Sequence, residues 1–585
     1  MIRRIFILFI ILLGVSNSFP QQLKDYNSQK EIIKFELNRK GEIYFRFISN
    51  SKDLINQLSL VISIDNVIPY TIGFEVFAYA NDEEFENFLS YNIPFEVLTH
   101  PSDLFSVRMS DNLNEIRGWD TYPTYDAYVN MMYQFQTNYP NLCKIIDAGN
   151  TVQNRKILFA VISDSVNFKK PKPQFMYSST IHGDETTGYV LMLRLIDTLL
   201  SGYGVNPQIT NLVKNVEIWI NPLANPDGTY YGGNHTVNNA RRYNANNKDL
   251  NRNYPGPIYV NPPETPIQPE TYIMMNLATA NRFVMSANFH GGAQVVNYPW
   301  DCKYALTADD NWWIYVSRQY ADTAHKYSNY NGYMTDLNNG ITNGAAWYII
   351  HGGRQDYFNY YQRCRECTIE ISATKLLPPS LLPTYWTYNF KSFLNYIQKS
   401  LYGLKGIVKD SITGLPVKAL VTTVGHDMDN SEIYSDSATG HYVRMIYTGT
   451  YTFQFSAPNY ITKIFPNIYI KNDSTTILNV LLSPVQTGIS KEKNSPELFT
   501  LYQNFPNPFN PSTTIKYQLN KETNVRLEVF DLSGKLISRL IDQKQKEGLY
   551  EIYFNSSNHN LTTGIYFYRL STDNYSETRR MILVK

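Results

Sequence analysis

The chain has 585 residues, more than one hydrophobic core usually organises, so three or four domains are expected. Its composition, 43% hydrophobic and 18% charged, excludes global disorder. A net charge of +1 leaves no basic footprint for nucleic acid, and the 47 tyrosines are too scattered to make a stacking platform.

The first residues read MIRRIFILFIILLGVSNSFPQQ. Arg3 and Arg4 make a basic start, residues 5–15 an apolar run, and Ser16-Asn17-Ser18 a small-residue cleavage site, so 1–18 reads as an export signal peptide. The apolar run is short for a membrane span, and no later segment reads as a transmembrane helix. Cys143, Cys302, Cys364 and Cys367 are too few for a disulfide scaffold; one or two disulfides stay open, with pairing unreadable. Cys364 and Cys367 form a CxxC without a second one, which argues against a structural zinc knuckle.

Residues 19–117 are expected to hold a small α+β module and a linker. EIIKFELN, EIYFRFIS and FEVFAYA read as strands, and SKDLINQLSLV and DEEFENFLSYN as helices. SVRMSDNLNEIRGWDTYP, polar and irregular, reads as linker and contains Arg108 and Arg117. Over 118–402, YDAYVNMMYQFQTNYP and YVLMLRLIDTLLSGYG read as helices. KILFAVIS, PQFMYSSTI, VEIWINPLAN and RFVMSANFH read as buried strands. That alternation predicts an α/β domain with a largely parallel or mixed sheet, whose functional residues gather outside the carboxyl ends of strands. Short strands and turns such as ITGLP and SATGHY predict a β-sandwich at 403–484. A polar linker follows at 485–498, and 499–585 is again β-rich.

In SSTIHGDETTG, His182 and Glu185 stand three apart just after an apolar strand. The pair either packs quietly at the strand end or holds one side of a metal. Catalytic zinc takes three protein ligands and keeps one position open. His290, closing RFVMSANFH, is the candidate third ligand, with a structural histidine as the competing reading. RRYNANNKDLNRNYPG puts Arg242, Asn251 and Arg252 in one polar stretch, and such groups suit a substrate carboxylate or a solvated loop. In RECTIEIS, Glu370 sits between Ile369 and Ile371, an expensive place for a lone carboxylate. It reads as a base or as half of a buried ion pair, with Glu366 as a rival.

The segments HGDE, NPDG, DLNRNYP, ANFHGGA, NYPWD, GITNGAAWY, GGRQDY and TIE follow one another as in secreted zinc metallocarboxypeptidases. Over about 118–402 the chain resembles the carboxypeptidase A/B superfamily, in its N/E/D-type branch. The resemblance implies a mixed-sheet α/β/α domain and one Zn²⁺ held by His182, Glu185 and His290. It implies Glu370 as the general base for the zinc-bound water and Arg242 as the polariser of the scissile carbonyl. Asn251 and Arg252 match the anchors of the terminal carboxylate, and Tyr348 the tyrosine that caps the bound residue. Asp301 matches the acidic position that pairs with a C-terminal Arg or Lys, and Gln355 the polar residue of that pocket.

The implied function is hydrolysis of the C-terminal peptide bond of peptides and proteins, with release of Arg or Lys. The same chemistry on neutral C-termini or peptidoglycan stem peptides, and a catalytically silent peptide-binding member, stay open. The sandwich at 403–484 resembles the transthyretin-like domain of that branch. The branch generally lacks an N-terminal pro-domain, yet the module resembles one in position. It is either an inhibitory pro-domain removed near Arg108 or Arg117, or an accessory domain. LYQNFPNPFNPSTTIKYQL, VFDLSGKLI and GIYFYRL resemble a C-terminal domain sorted by the type IX secretion system. With the signal peptide, this implies passage through the periplasm to the outside or the cell surface, with the secretion machinery and peptide C-termini as partners.

Overall fold

The structure, a computed structural model, describes residues 26–485, 499–573 and 575–584. The signal peptide read at 1–18 and nearly all of the 485–498 linker lie outside the described residues. The chain divides into two compact units, one ending at Val485 and the other starting at Gln486. No helix among the described residues is long and apolar enough to cross a membrane.

The chain begins with α1 (Tyr26–Lys40), β1 (Ile43–Ser49), α2 (Lys52–Leu58), β2 (Ser63–Tyr70), β3 (Gly73–Ala80), α3 (Asp82–Leu89) and β4 (Phe95–Val97). The strands form one sheet in the order β2-β3-β1-β4. EIIKFELN, expected as a strand, is the middle of α1. Gln29, Ile33 and Lys40 are its buried positions, a helical spacing outweighed in the sequence by the local Ile-Ile-x-Phe run, whose Ile32 and Phe35 face solvent. β2 was not foreseen: SIDNVIPY carries Asp, Asn and Pro, poor strand formers, and its register with β3 shifts between Ile64 and Asn66. α3 starts with a capping box, Asn81 accepting from the Glu84 N–H and Glu84 accepting from the Asn81 N–H. The core of this layer is completed by Ala293, Val295 and Trp347, more than two hundred positions along the chain.

The stretch expected as irregular linker is built in. Met109–Ser110 pairs in parallel with Tyr122–Pro123, Leu113–Ile116 is a short helix with Ile116 fully buried, and Arg117 donates to Gln134.

Next comes an eight-stranded sheet: β5 (Cys143–Asn150), β6 (Lys156–Ile162), β7 (Gln174–Ser179), β8 (Glu217–Asn221), β9 (Phe283–His290), β10 (Ala293–Tyr298), β11 (Ile341–Asn343) and β12 (Arg365–Ser372). The order β11-β10-β12-β9-β7-β8-β6-β5 makes a mixed sheet. β7, β8, β9 and β12 run parallel at its centre, where both faces are buried, and antiparallel pairs flank them. Helices α4 (Tyr125–Asn138), α5 (Thr187–Gly202), α6 (Asp310–Tyr327) and, at the far end, Leu382–Lys399 pack on one face through Leu158, Phe175, Tyr177 and Phe289. The helices Pro269–Ala280 and Arg354–Tyr361 cover the other through Phe159, Met176 and Trp219. The mixed sheet expected from the alternation and the α/β/α layering implied by the resemblance are thus present. All four cysteines are buried free thiols, so no disulfide forms.

Residues 403–485 form two small sheets around Leu404, Val408, Phe453 and Phe455. They join the larger domain through a buried charge cluster. Asp309 accepts from Arg365 at 2.6 Å, from both terminal nitrogens of Arg444 at 3.0 Å, and pairs with His426 at 3.0 Å. The second unit holds a three-stranded and a four-stranded sheet; alternation along Ser512–Leu519 and Thr523–Phe530 turns Ile515, Tyr517, Val525 and Leu527 into one core.

Candidate metal and peptide site

The site lies at the carboxyl ends of the central parallel strands. β7 runs out at Ser179, and the chain turns through His182 and Glu185 into α5, with the Glu185 N–H donating to the His182 carbonyl at 3.2 Å. Gly183 lets this turn press on its neighbours: a Cβ there would lie 2.3 Å from the Gly228 carbonyl carbon. His290 ends β9, and parallel pairing puts Glu370 of β12 directly beside it. One donor atom each from His182, Glu185 and His290 falls within 4.8 Å of the others, the sole such group of His, Cys, Asp or Glu among the described residues.

The donor chemistry fits zinc. Burial pushes the His290 imidazole down to about 4, so it is neutral near neutral pH and retains a ring-nitrogen lone pair of the kind a metal takes. Burial opposes charge on Glu185, but His182, Lys375 and His290 around it hold its carboxyl well below the usual range. His182 is pushed down by burial and by Arg242, yet Glu185 and Asp249 carry its pKa above the ordinary value, so a metal there would displace a proton. Burial, with Glu185 nearby, raises Glu370 well above the usual carboxylate range, and its Oε2 is buried without a hydrogen-bond partner.

Around this group stand the other residues singled out in the sequence. Arg242 Nε donates to Asp249 Oδ2 at 3.0 Å, and its Nη1 lies 3.5 Å from Glu185 Oε1. Arg252 and Asn251 sit in the short turn Leu250–Arg252, where Asn251 Oδ1 accepts from the Arg354 N–H at 2.9 Å. Asp301 Oδ1 accepts from Asn297 Nδ2 and Gln355 Nε2, both at 3.0 Å. Gly344 keeps the space over this carboxylate open, since a Cβ there would stand 1.9 Å from Asp301 Oδ1. Burial, then the neighbouring Asp356 carboxylate, raises Asp301 well above the ordinary range. His182, Glu185, His290, Arg242, Asn251, Arg252, Tyr348, Asp301 and Glu370 line one cavity, and Gln355 meets it through Asp301.

The cavity is closed by a segment that sequence reasoning did not see. The Asp65 carboxylate, on the irregular register of β2, pairs with Lys375 at 2.7 Å and Arg242 at 3.3 Å. Arg252 donates to the Ile64 carbonyl at 3.0 Å, and the Tyr348 hydroxyl to the Asp65 carbonyl at 3.1 Å. Ser63 reaches Asp249 and accepts from Arg242 Nε at 2.8 Å. The remaining space is about 30 Å³, room for a water or two and not for a peptide. Lys375 was also missed, although a lone Lys before Leu376-Leu377-Pro378 could have marked it; it lies 2.6 Å from Glu185 Oε1.

A His–Glu–His donor set beside a buried carboxylate, at the strand ends of a mixed α/β sheet, is a zinc hydrolase arrangement. The zinc carboxypeptidase family model matches residues 128–392, and a secretion-system C-terminal sorting domain matches 503–585. Carboxypeptidase D of Rattus norvegicus is 33% identical over 382 residues, covering 61% of this chain and 27% of that protein. Carboxypeptidase M of Mus musculus is 33% identical over 350 residues, 56% of this chain and 76% of that one. The crystal structure of the carboxypeptidase A from Helicoverpa armigera aligns with 62% of this chain and 97% of its own, at 17% identity and a TM-score of 0.48. The chain belongs to the zinc carboxypeptidase family and carries a C-terminal sorting domain. It spans about a quarter of the length of the carboxypeptidase D relatives.

Proposed function

We propose that this chain is an exported zinc metallocarboxypeptidase that releases Arg or Lys from peptide C-termini, and that residues 26–97 hold it latent. The observation that carries the activity is Glu370 paired in register with His290, one member of a His–Glu–His set. His182, Glu185 and His290 would hold zinc, which when bound supplies Lewis acidity toward water and a carbonyl oxygen. Glu370 Oε2, unpartnered and facing the same cavity, would take a proton from water and return it to the leaving amine. Arg242 would donate to the scissile carbonyl oxygen, an interaction typically worth ~2.7–4 kcal/mol as charge develops there. Asn251 and Arg252 would anchor the terminal carboxylate, and Tyr348 would close over the bound residue. Asp301, oriented by Asn297 and Gln355, would receive its guanidinium or ammonium group. Relatives named carboxypeptidase D, M and N support the reaction class.

Latency is supported by Asp65, which pairs with Arg242, and by the Ile64 carbonyl, which accepts from Arg252, the two cations of the cavity that a substrate would use. The exposed Arg108 follows the module and suits proteolytic release. The sandwich at 403–484 is read as the transthyretin-like partner of the catalytic domain. The sorting domain supports export to the outside or the cell surface, by the type IX route.

Two peptides differing only in a final Arg or Phe, offered to the chain before and after limited trypsin treatment, test the reading. Cleavage of the Arg peptide by the treated chain, absent in Glu370→Gln, is expected. Faster cleavage of the Phe peptide would discard the basic preference, and zinc binding without turnover on either would discard the enzyme.

A further inference from the structure

His182 and His290 turn Nδ1 toward Glu185, at 3.0 and 2.8 Å, and each has its other ring nitrogen backed by one side chain. The two backings differ. His182 Nε2 faces Asp249 Oδ1 at 3.1 Å, a carboxylate that accepts the ring proton. His290 Nε2 lies 2.7 Å from the amide nitrogen of Asn288, while the amide oxygen of Asn288 is buried without a partner.

An imidazole that gives its Nδ1 lone pair to a metal keeps its proton on Nε2 and needs an acceptor there. An amide nitrogen is a donor only, so two N–H groups would then face each other across 2.7 Å. Half a turn of the amide exchanges its nitrogen and oxygen in nearly the same volume. The orphaned oxygen then meets Nε2–H. Asn288 is well placed to hold that orientation. It stands two residues before His290 on the same face of β9, is 1% exposed, and its backbone pairs with Ser178 on one side and Thr368 on the other.

We propose that Asn288 is a positioning residue for the metal: its amide oxygen, turned to His290 Nε2–H, fixes the tautomer and ring plane that present Nδ1 to zinc. This rests on the metal-holding reading of His182, Glu185 and His290. The site would then have one ligand backed by a carboxylate and one by a neutral amide.

The test is the zinc dissociation constant of the full chain, measured by competition with a chromophoric chelator and needing no turnover. Asn288→Leu keeps the volume and removes the acceptor. Its zinc affinity should fall roughly 10–100-fold, with the melting point of the metal-free chain little changed. Asn288→Asp keeps an acceptor in either orientation and should bind zinc at least as tightly as the wild type. Wild-type affinity in Asn288→Leu, or a tenfold loss in Asn288→Asp, would overturn the proposal. If the Leu variant does not fold, the Asp variant decides alone. A wild-type chain that binds zinc no better than His182→Ala would overturn the metal reading, and this one with it.

Discussion

Asp301 is 3% exposed, and its carboxylate has two neutral donors and no cation within bonding distance. Burial and Asp356 keep its proton on at pH values where an ordinary carboxyl is ionised. A guanidinium entering beneath Gly344 would favour the ionised form and expel that proton. The sign follows: as pH rises and the proton is lost more easily, Arg-ended substrates gain and neutral ones do not. The ratio of kcat/KM for Arg and Phe peptides should therefore climb with pH, and Asp301→Ala should flatten it. The ratio cancels protonations common to both substrates. A pH-independent ratio in the wild type would remove Asp301 from the pocket. At this scale the sequence was legible where motifs are local. HGDE, the His ending β9 and the Glu in TIE could all be picked out, and they converge. Asp65 was not, because nothing near it in the chain indicates which side chains it meets.

Among the elements, β2 shows how little a local pattern can settle. Its Asp-Asn-Val-Ile-Pro run lacks strand propensity, and pairing with β3 supplies what propensity does not. The register shift at Asp65 re-aims that side chain, as β-bulges do, into the cleft. Helix Arg354–Tyr361 acts as a clamp in the same region: Asp356 accepts from the Asp301 and Cys302 N–H groups, both at 3.0 Å, and Gln355 accepts from the Thr368 N–H on the strand of Glu370. If β2 is the lock, Asp65→Ala should let the intact chain hydrolyse a short Arg peptide at least tenfold faster, without trypsin. Equal rates for the intact and treated wild-type chains, unchanged in Asp65→Ala, would make the module an accessory rather than a lock.

At the scale of the whole first unit, the cluster of Asp309, Arg365, Arg444 and Asp427 ties residues 403–485 to the larger domain. Arg444 is fully buried, so its loss would leave Asp427 without its cation and Asp309 with Arg365 and His426 alone. Removing one partner of such a buried pair typically costs about 3–5 kcal/mol. Arg444→Met should lower the denaturant midpoint of this unit accordingly; an unchanged midpoint would show the junction to be incidental. Burial alone would raise Asp309, but Arg444 and Arg365 depress its pKa far below the ordinary value. A depressed carboxyl stabilises the fold above its unfolded pKa, about 3.9, and that contribution is lost as pH falls below it. Acid titration of the first unit should show this loss in the wild type and much less in Asp309→Asn.

The sequence by itself determined the strands and helices whose apolar period is strong, the order of the motifs, and the chemistry their residue types allow. Those properties live within a few positions of the chain, where spacing and side-chain type suffice. Tertiary structure alone decided that EIIKFELN is helical, that the four thiols stay free, and that Asp65 reaches Arg242 across 177 positions. Each of these depends on which distant surface comes to lie opposite. A carboxylate, an amide or a thiol has no defined role until burial removes water and leaves one neighbour to answer its charge or its proton.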